Sequence, residues 1–211
     1  EGSSYSVYIQ GLARLASARG WHVSVMNFRF CAREPYALSV CIPNRRPRLY
    51  HSGETSDFDH TIRALHERAP LRTFVAVGAS LGGNVLLKWL GENRGQSLVH
   101  AAAALSVPFD LAAGARFLEL GIGRIYAARF IQTLKPKLRY VHAHHEEARA
   151  KVDLDRALRS RTFYEYDDAA TGPLHGFAGA EDYWEKCSSI FFIGSIDVPT
   201  LCVNAVDDPF V

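Results

Sequence analysis

The stretch TFVAVGASLGGNVLLKWLGENRG, residues 73–95, limits the fold of this chain more than any other feature. It begins with a short apolar run, 73–77, which is typical of a strand buried on both faces of a parallel sheet. A tight turn with Gly78, Ser80 and Gly82 follows, and a helix-like segment begins directly after it. A strand, a turn and a helix in direct succession predict an α/β fold.

The turn itself, GASLG at 78–82, matches G-x-S-x-G and has the strand before it and the helix after it that a nucleophile elbow requires. In such an elbow the serine backbone is strained, and its hydroxyl stands above the carboxyl edge of the sheet. Neighbouring backbone passes so close that side chains at Gly78 and Gly82 would collide. The pattern predicts Ser80 as a nucleophile and the N–H of Leu81, at the helix N-terminus, as one oxyanion donor.

Two other glycine-rich turns do not fit this segment. A P-loop needs Lys and Ser or Thr after its last glycine, but Asn84 and Val85 follow Gly83. A dinucleotide-binding fingerprint needs glycine where Ser80 stands. The alternative that stays open at this point is a plain tight turn whose serine has no chemical role.

The remaining elements alternate in the same way. The first predicted helix ends at Gly20, and Ser56 or Asp57 would cap the second. Strands and helices in alternation predict a mostly parallel sheet with flanking helices. We expect helices over 8–20, 56–70 and 81–92, and strands over 21–28, 73–77, 99–107 and 199–206.

Between Pro108 and Pro199 this alternation stops. We expect residues 109–190 to form a helical, cap-like insertion within a single domain over 1–211. Apolar residues recur there every four positions, which predicts one buried helix stripe that Pro136 interrupts near its end. The stripe consists of Leu118, Ile122, Tyr126, Phe130, Leu134 and Leu138.

A serine nucleophile needs a histidine base, and the base needs an acid that orients it. In this architecture the chain order is Ser, then Asp or Glu, then His. PTLCVNAVDDPFV supplies two aspartates after a strand: Asp208 is the predicted acid, and Asp207 is the alternative. We expect the catalytic histidine after residue 211, because none follows Asp208 in this sequence. His175 precedes the acid and is the alternative base.

Composition narrows the classes of function. A formal charge of +2, with 22% charged and 48% hydrophobic residues, is typical of a globular protein and gives no reason to expect a nucleic-acid partner. HAHHEE at 142–147 lacks the spacing of a zinc helix, so we expect neither a metal nor another cofactor. The chain has no apolar run long enough to span a bilayer, and its four cysteines form no CxxC pair. We expect reduced thiols in a cytoplasmic protein.

Five segments together resemble the YheT-like branch of the α/β-hydrolase superfamily. That branch includes bacterial proteins classed as esterases and related animal abhydrolase-domain lipid hydrolases. The resemblance covers nearly the whole chain, so it is much more specific than G-x-S-x-G alone. The segments are RPRLYHSGETSDF (46–58), VGASLGGNVLLKWLGE (77–92), FDLAAGA (109–115), EYDDAATGPLHGFAGAEDYW (165–184) and VPTLCVNAVDDPF (198–210).

The resemblance implies a serine hydrolase that acts on carboxylic esters of small molecules or lipids. It implies Ser80 as the nucleophile and the aspartate pair as the source of the acid. EGSS at 1–4 is similar to the end of a His-Gly-Leu-Glu-Gly segment that supplies the family's second oxyanion N–H. The chain thus resembles the centre of a longer protein cut at both ends, and any membrane association would be encoded upstream. The sequence gives no indication of an oligomeric state.

One stretch departs from the family pattern. RFCAREPYALSVCIPN, 29–44, has Phe30, Ala32 and Arg33 where the family has a glycine-rich turn that brings the backbone close to the site. Three functions stay open. They are an ester hydrolase whose acyl chain lies under the insertion, an acyltransferase or thioesterase with the same triad, and a non-catalytic binding protein of the same fold.

Overall fold

The structure is a computed structural model that describes residues 2–208, except for the side chains of residues 38 and 39. The contacts divide the chain into two compact units, Glu1–Tyr50 and His51–Val211. The predicted nucleophile, oxyanion donor and acid all belong to the second unit.

The first unit begins with helix α1, Val7–Ser17, which confirms the helix predicted over 8–20. Beyond it, Gly20 has a φ of +77°, the left-handed conformation that favours glycine after a helix. The strand predicted over 21–28 is wrong, because these residues pair with no strand in the described part of the chain. Alternating β-branched and aromatic residues supply only a propensity, whereas a strand exists through hydrogen bonds to a neighbour.

Residues 29–44, where the sequence departs from the family pattern, contain a small hairpin. Strand β1, Arg33–Glu34, pairs antiparallel with strand β2, Ala37–Cys41. Phe30 is buried, has a φ of +61°, and donates its backbone N–H to Asn44 Oδ1 at 2.9 Å. Phe30 therefore adopts the left-handed backbone that a glycine would adopt without steric cost.

The second unit contains a parallel sheet of three strands in the order β3-β4-β5. Val75 pairs with Ala101, and Ala102 pairs with Thr200, so the carboxyl ends of all three strands lie at one edge. The three predicted strands and their parallel arrangement are confirmed, but the burial of β3 on both faces is wrong, since Val75 and Val77 are exposed. Their bounds are Val75–Ala79 for β3, Ala101–Leu105 for β4 and Thr200–Val203 for β5.

Helix α3, Leu81–Glu92, follows β3 after a single residue and covers the residues predicted for it. Trp89 on α3 donates its indole N–H to Asp59 Oδ1 at 3.0 Å. The ring of Phe58 meets the Trp89 ring edge-on, with 5.0 Å between centroids. Together with Ile62, Leu86, Leu90 and residues of β3 and β4, these contacts bury one face of α3.

Helix α2, Ser56–Arg68, confirms the helix predicted over 56–70, but the predicted cap is wrong. Ser56 and Asp57 are already helical, and Thr55 occupies the N-cap position without a side-chain bond to the helix. The Ser56 hydroxyl instead donates to the Glu54 carboxylate in the preceding turn. A serine engaged there cannot cap the helix.

Between β4 and β5 the described chain contains only helices and turns, and its interpretation as a cap-like insertion stays a prediction. None of the helices in residues 2–208 has the length and apolar character needed to cross a membrane. The helices are α4 Leu111–Phe117, α5 Gly123–His144, α6 Glu146–Lys151, α7 Leu154–Arg159, α8 Phe163–Tyr166, α9 Gly172–His175 and α10 Ala180–Cys187. A π-helical turn, Asp167–Thr171, joins α8 to α9, and 3-10 turns span Ser189–Phe191 and Ile193–Ser195.

The single apolar stripe predicted for this region is wrong. Leu118 follows α4 and Ile122 precedes α5, and the turn between them, with Gly121 at a φ of +49°, changes the helical phase. Along α5 a spacing of four residues also moves about 40° around the helix at each step, so Ile122 and Tyr126 lie on a different side from Leu138 and are exposed. Helix α5 also runs through Pro136, which removes one helical N–H without ending the helix. The buried face of α5 carries Ala127, Ile131, Lys135, Lys137, Leu138 and Val141.

Candidate active site

Ser80 forms the turn between β3 and α3 with a backbone conformation that is rare outside glycine. Its φ is +52° and its ψ is −125°, and such a conformation costs about 1–3 kcal/mol. The Ser80 N–H donates to the Leu105 carbonyl oxygen at 2.8 Å. The Ser80 carbonyl oxygen accepts the N–H groups of Gly83 at 2.9 Å and Asn84 at 3.2 Å. These bonds hold the strained turn in place, and Ser80 itself is exposed.

Two glycines allow the backbone segments of this turn to approach each other. A Cβ atom on Gly78 would lie 2.4 Å from the carbonyl oxygen of Gly82. A Cβ atom on Gly83 would lie 2.5 Å from Val107 Cγ2. The predicted collision at Gly78 is confirmed, and the one at Gly82 stays a prediction.

The predicted nucleophile and the predicted acid lie at the same edge of the sheet. Ser80 follows β3 and Asp208 follows β5, with β4 between them. Two strand spacings, about 10 Å in all, separate the ends of β3 and β5. Strand ends at this spacing leave room for an imidazole ring between side chains of the two turns, and the pairing of Ser80 with Asp208 stays a prediction. Asp208 is half-buried, whereas Asp207 is exposed.

The predicted oxyanion donor, Leu81, is the first residue of α3. Its N–H has no carbonyl of an earlier helical turn to bond, and the helix dipole favours negative charge at this end. The first turn of α3 contains no acidic residue that would oppose that charge. An oxyanion formed beside Ser80 would therefore meet a favourable potential, and the role of Leu81 as a donor stays a prediction.

Comparison with known proteins gives the family. A family model described as the alpha/beta hydrolase fold matches residues 1–211, the whole chain. The chain belongs to the α/β-hydrolase fold family. No solved structure matches it significantly.

Three similar relatives of this α/β-hydrolase-family chain confirm the resemblance to the YheT-like branch. YheT of Escherichia coli (strain K12), named as an esterase, is 37% identical over 100% of this chain and 59% of its own length. The monoacylglycerol lipase of Saccharomyces cerevisiae is 32% identical over 83% of this chain and 42% of its own length. The medium-chain fatty acid ethyl ester synthase/esterase 2 of the same yeast is 30% identical over 100% of this chain and 49% of its own length. The chain thus spans about half the length of the curated relatives it matches.

Asn84, one helical turn after the elbow serine of this hydrolase-family chain, joins three segments. Its side chain is fully buried, and its amide nitrogen donates to the carbonyl oxygens of Ser52 at 2.9 Å and Cys187 at 2.8 Å. Its Oδ1 accepts the N–H of Ser189 at 2.9 Å. The first turn of α3 is therefore bonded both to the loop before α2 and to the end of α10.

Asn84→Ala is expected to lower the free energy of unfolding of the full-length protein by about 3 kcal/mol or more. The change leaves three buried backbone groups without partners, and each costs about 1–3 kcal/mol. Denaturant unfolding of wild type and variant measures the loss. Asn93→Ala is a matched control, because it removes a single amide bond, to the Trp89 carbonyl oxygen, at the far end of α3. Equal losses in the two variants would contradict the bridging role of Asn84.

A second buried cluster surrounds His51, for which the sequence predicted no role. The His51 ring lies 4.4 Å from the His175 ring between centroids, and Phe177 and Tyr183 meet it edge-on at 5.7 and 5.6 Å. His175, the alternative base, donates its Nδ1–H to the Thr171 carbonyl oxygen at 2.8 Å. This bond fixes the tautomer and the orientation of the His175 ring, and its role as a base stays a prediction.

Asp167, in the π-helical turn beside this cluster, is a buried carboxyl group. Burial raises its pKa from 3.8 to about 6, and hydrogen bonds from Thr171 and Trp184 oppose part of that rise. The Trp184 indole N–H donates to Asp167 Oδ2 at 2.9 Å. Because the folded-state pKa exceeds the unfolded value, the folded protein favours the protonated carboxyl. Ionisation of Asp167 at neutral pH therefore destabilises the fold.

Asp167→Asn is expected to become more stable relative to wild type as the pH rises from 4 to 7. Between about pH 4 and 6 the wild type loses stability, because the carboxyl ionises more readily in the unfolded chain, whereas asparagine does not titrate and still accepts the Trp184 bond. The relative gain should approach about 3 kcal/mol. Free energies of unfolding at several pH values test this. A difference between the two proteins that does not change with pH would refute it.

The histidine-rich segment 142–147 crosses from the end of α5 into α6. The His144 Nδ1–H donates to the Tyr140 carbonyl oxygen at 2.8 Å, and the His144 ring stacks on the Tyr140 ring. Across residues 2–208, no group of three or more His, Cys, Asp or Glu side chains is arranged to hold a metal ion.

Proposed function

We propose that the full-length protein is a serine hydrolase that cleaves carboxylic esters through an acyl-enzyme on Ser80. Its substrates are short- to medium-chain acyl esters or lipids. The observation that carries this proposal is the left-handed, exposed Ser80 at the end of β3, with α3 directly behind it. Strained backbone at residues other than glycine concentrates at functional sites. The family of the chain, and relatives named as an esterase and a lipase, support the same class of reaction.

The reaction that we propose has two halves. Ser80 Oγ attacks the ester carbonyl carbon while a histidine, expected after residue 211, takes the hydroxyl proton. The N–H of Leu81 stabilises the oxyanion, and Asp208 orients the histidine and stabilises its charged form. The C–O bond of the ester then breaks, and the histidine gives its proton to the leaving alcohol. Water, activated by the same histidine, releases the acid from Ser80.

We also propose that the helices of residues 109–190 form a cap over the acyl chain of the substrate. Phe117, Ile122, Ile125 and Tyr126 are exposed, and they supply apolar surface that such a cap needs. The cytoplasm is the compartment that we expect, in line with four cysteines that are all free thiols.

Acyl transfer to an alcohol is the second candidate function. It is favoured by the yeast relative whose name describes both an ester synthase and an esterase. An acyl group on Ser80 is attacked by water or by an alcohol in the same way, so the triad serves both reactions.

The test is turnover of p-nitrophenyl esters, from acetate to palmitate, by the full-length protein. Release of p-nitrophenol with a preference for one range of chain length would support ester hydrolysis and begin to define the acyl pocket. Ethanol added to the same reactions distinguishes the two candidates, because transfer yields an ethyl ester in place of the free acid. A folded protein that turns over none of these esters would contradict both and favour a binding role.

A further inference from the structure

The side chain of Asn204 continues the sheet beyond the end of β5. Its Oδ1 accepts the N–H of Val107 at 3.1 Å, and its Nδ2 donates to the carbonyl oxygen of the same residue at 3.1 Å. One step earlier, the Ser106 N–H donates to the Val203 carbonyl oxygen at 2.8 Å. A primary amide presents one acceptor and two donors, so it can take the place of the next peptide group in the ladder.

Val107, the residue that Asn204 bonds, is held firmly by its surroundings. Its side chain is fully buried in a cluster with Leu87 and Ala104. Its Cγ2 also lies where a Cβ atom on Gly83 would have to fit, so Val107 contacts the first turn of α3 directly. In a close-packed interior a residue enclosed in this way shifts only together with its neighbours. The position of Val107 is therefore fixed relative to the turn of Ser80 and the first turn of α3.

Asn204 is also the first residue of the loop that carries the two aspartates. Asp208 lies four residues further on, and its N–H donates to the Ala205 carbonyl oxygen at 3.3 Å in a turn. The two amide bonds of Asn204 thus fix the start of this turn relative to Val107, and Val107 is packed against the elbow. A continuous set of contacts runs from the acid loop to the turn of Ser80.

We propose that Asn204 is a positioning residue for the acid, which holds the Asp208 loop at the distance from Ser80 that a histidine can bridge. The inference rests on the proposed ester-hydrolase function and adds a residue to its machinery. Asn204 acts through Asp208 and not on the substrate, so its loss affects kcat more than KM. A nearby carboxylate raises the pKa of a histidine, so a displaced Asp208 lets that pKa fall.

The experiment measures kcat and KM for a p-nitrophenyl ester against pH, with full-length wild type and Asn204→Ala. We expect kcat to fall roughly 10- to 100-fold, as for a misplaced catalytic group, with KM changed less than about threefold. The apparent pKa of the acidic limb of the rate profile should fall by about half a unit to one unit. Asn93→Ala is the matched control, since Asn93 is half-buried like Asn204 and bonds a backbone carbonyl far from the site. Asn93→Ala should leave kcat, KM and the apparent pKa of the acidic limb unchanged.

The proposal would be overturned if Asn204→Ala lost thermal stability but kept the kcat of wild type and the pKa of its acidic limb, as is expected for Asn93→Ala. If Asn204→Ala does not fold, Asn204→Ser, a polar side chain one bond too short for the two amide contacts with Val107, is measured in the same way and should show the same loss of kcat. Ser80→Ala in parallel separates two kinds of failure. Activity that depends on Ser80 but not on Asn204 refutes the positioning role alone, and a wild type without activity refutes both.

Discussion

Ser80→Ala is expected to lower kcat of the full-length protein for p-nitrophenyl esters by roughly 10⁵-fold. The Ser80 hydroxyl is the attacking group in the proposed reaction, so its removal leaves only substrate binding and the oxyanion donors to assist attack by water. Alanine keeps the Cβ atom and the backbone bonds of the turn, so the fold should survive. Steady-state kinetics gives the loss, and circular dichroism shows whether the variant is folded.

Ser106→Ala is a matched control for this variant. Ser106 also follows a strand of the parallel sheet, is exposed, and has a left-handed φ of +49°. It has no part in the proposed triad, so its replacement should lower kcat less than about tenfold. A Ser80→Ala protein that retains more than about a tenth of wild-type kcat, or equal losses in the two variants, would show that Ser80 is not the nucleophile.

Asp208→Asn is the second large effect, with an expected loss of about 10⁴-fold in kcat. Asparagine keeps the shape of the side chain, but it cannot stabilise the imidazolium that forms when the histidine takes the serine proton. Asp207→Asn changes the same charge one residue away, on an exposed side chain, and should cost less than about tenfold.

Both aspartate variants are measured with the same ester across a range of pH. The reverse order of losses would assign the acid to Asp207, the alternative left open by the sequence. Two small losses would contradict the proposal that this loop supplies the acid.

The fold was predictable wherever local sequence and tertiary contacts favour the same structure. Helix α3 lies at its predicted residues, because apolar spacing, the preceding turn and the apolar strand before it all indicate it. The segment 21–28 has the composition of a strand, but composition cannot supply the neighbouring strand that a ladder needs. The stripe along 118–138 had roughly helical spacing, but a turn at Gly121 separates Leu118 from α5, and a spacing of four residues drifts around a long helix. Periodicity is local, and such a turn is not visible in it.

The predicted site residues all come from turns that follow apolar strands, where the sequence signal is strong. Asn84 and Asn204 gave no such signal, because their partners are distant along the chain. Asn84 bonds Cys187 and Ser189, and Asn204 bonds Val107, each about a hundred positions away. Asparagine next to glycine or after a strand predicts a turn as readily as a structural amide. Only the folded backbone shows which groups these amides meet.

Direct identification of the nucleophile tests the account most closely. The full-length protein is treated with a fluorophosphonate, digested, and analysed by mass spectrometry for the phosphonylated peptide. We predict a single adduct on Ser80, at a rate that falls when Asp208 is replaced by asparagine. A folded protein that carries no adduct, or carries it on another serine, would contradict the assignment of this turn as the catalytic elbow.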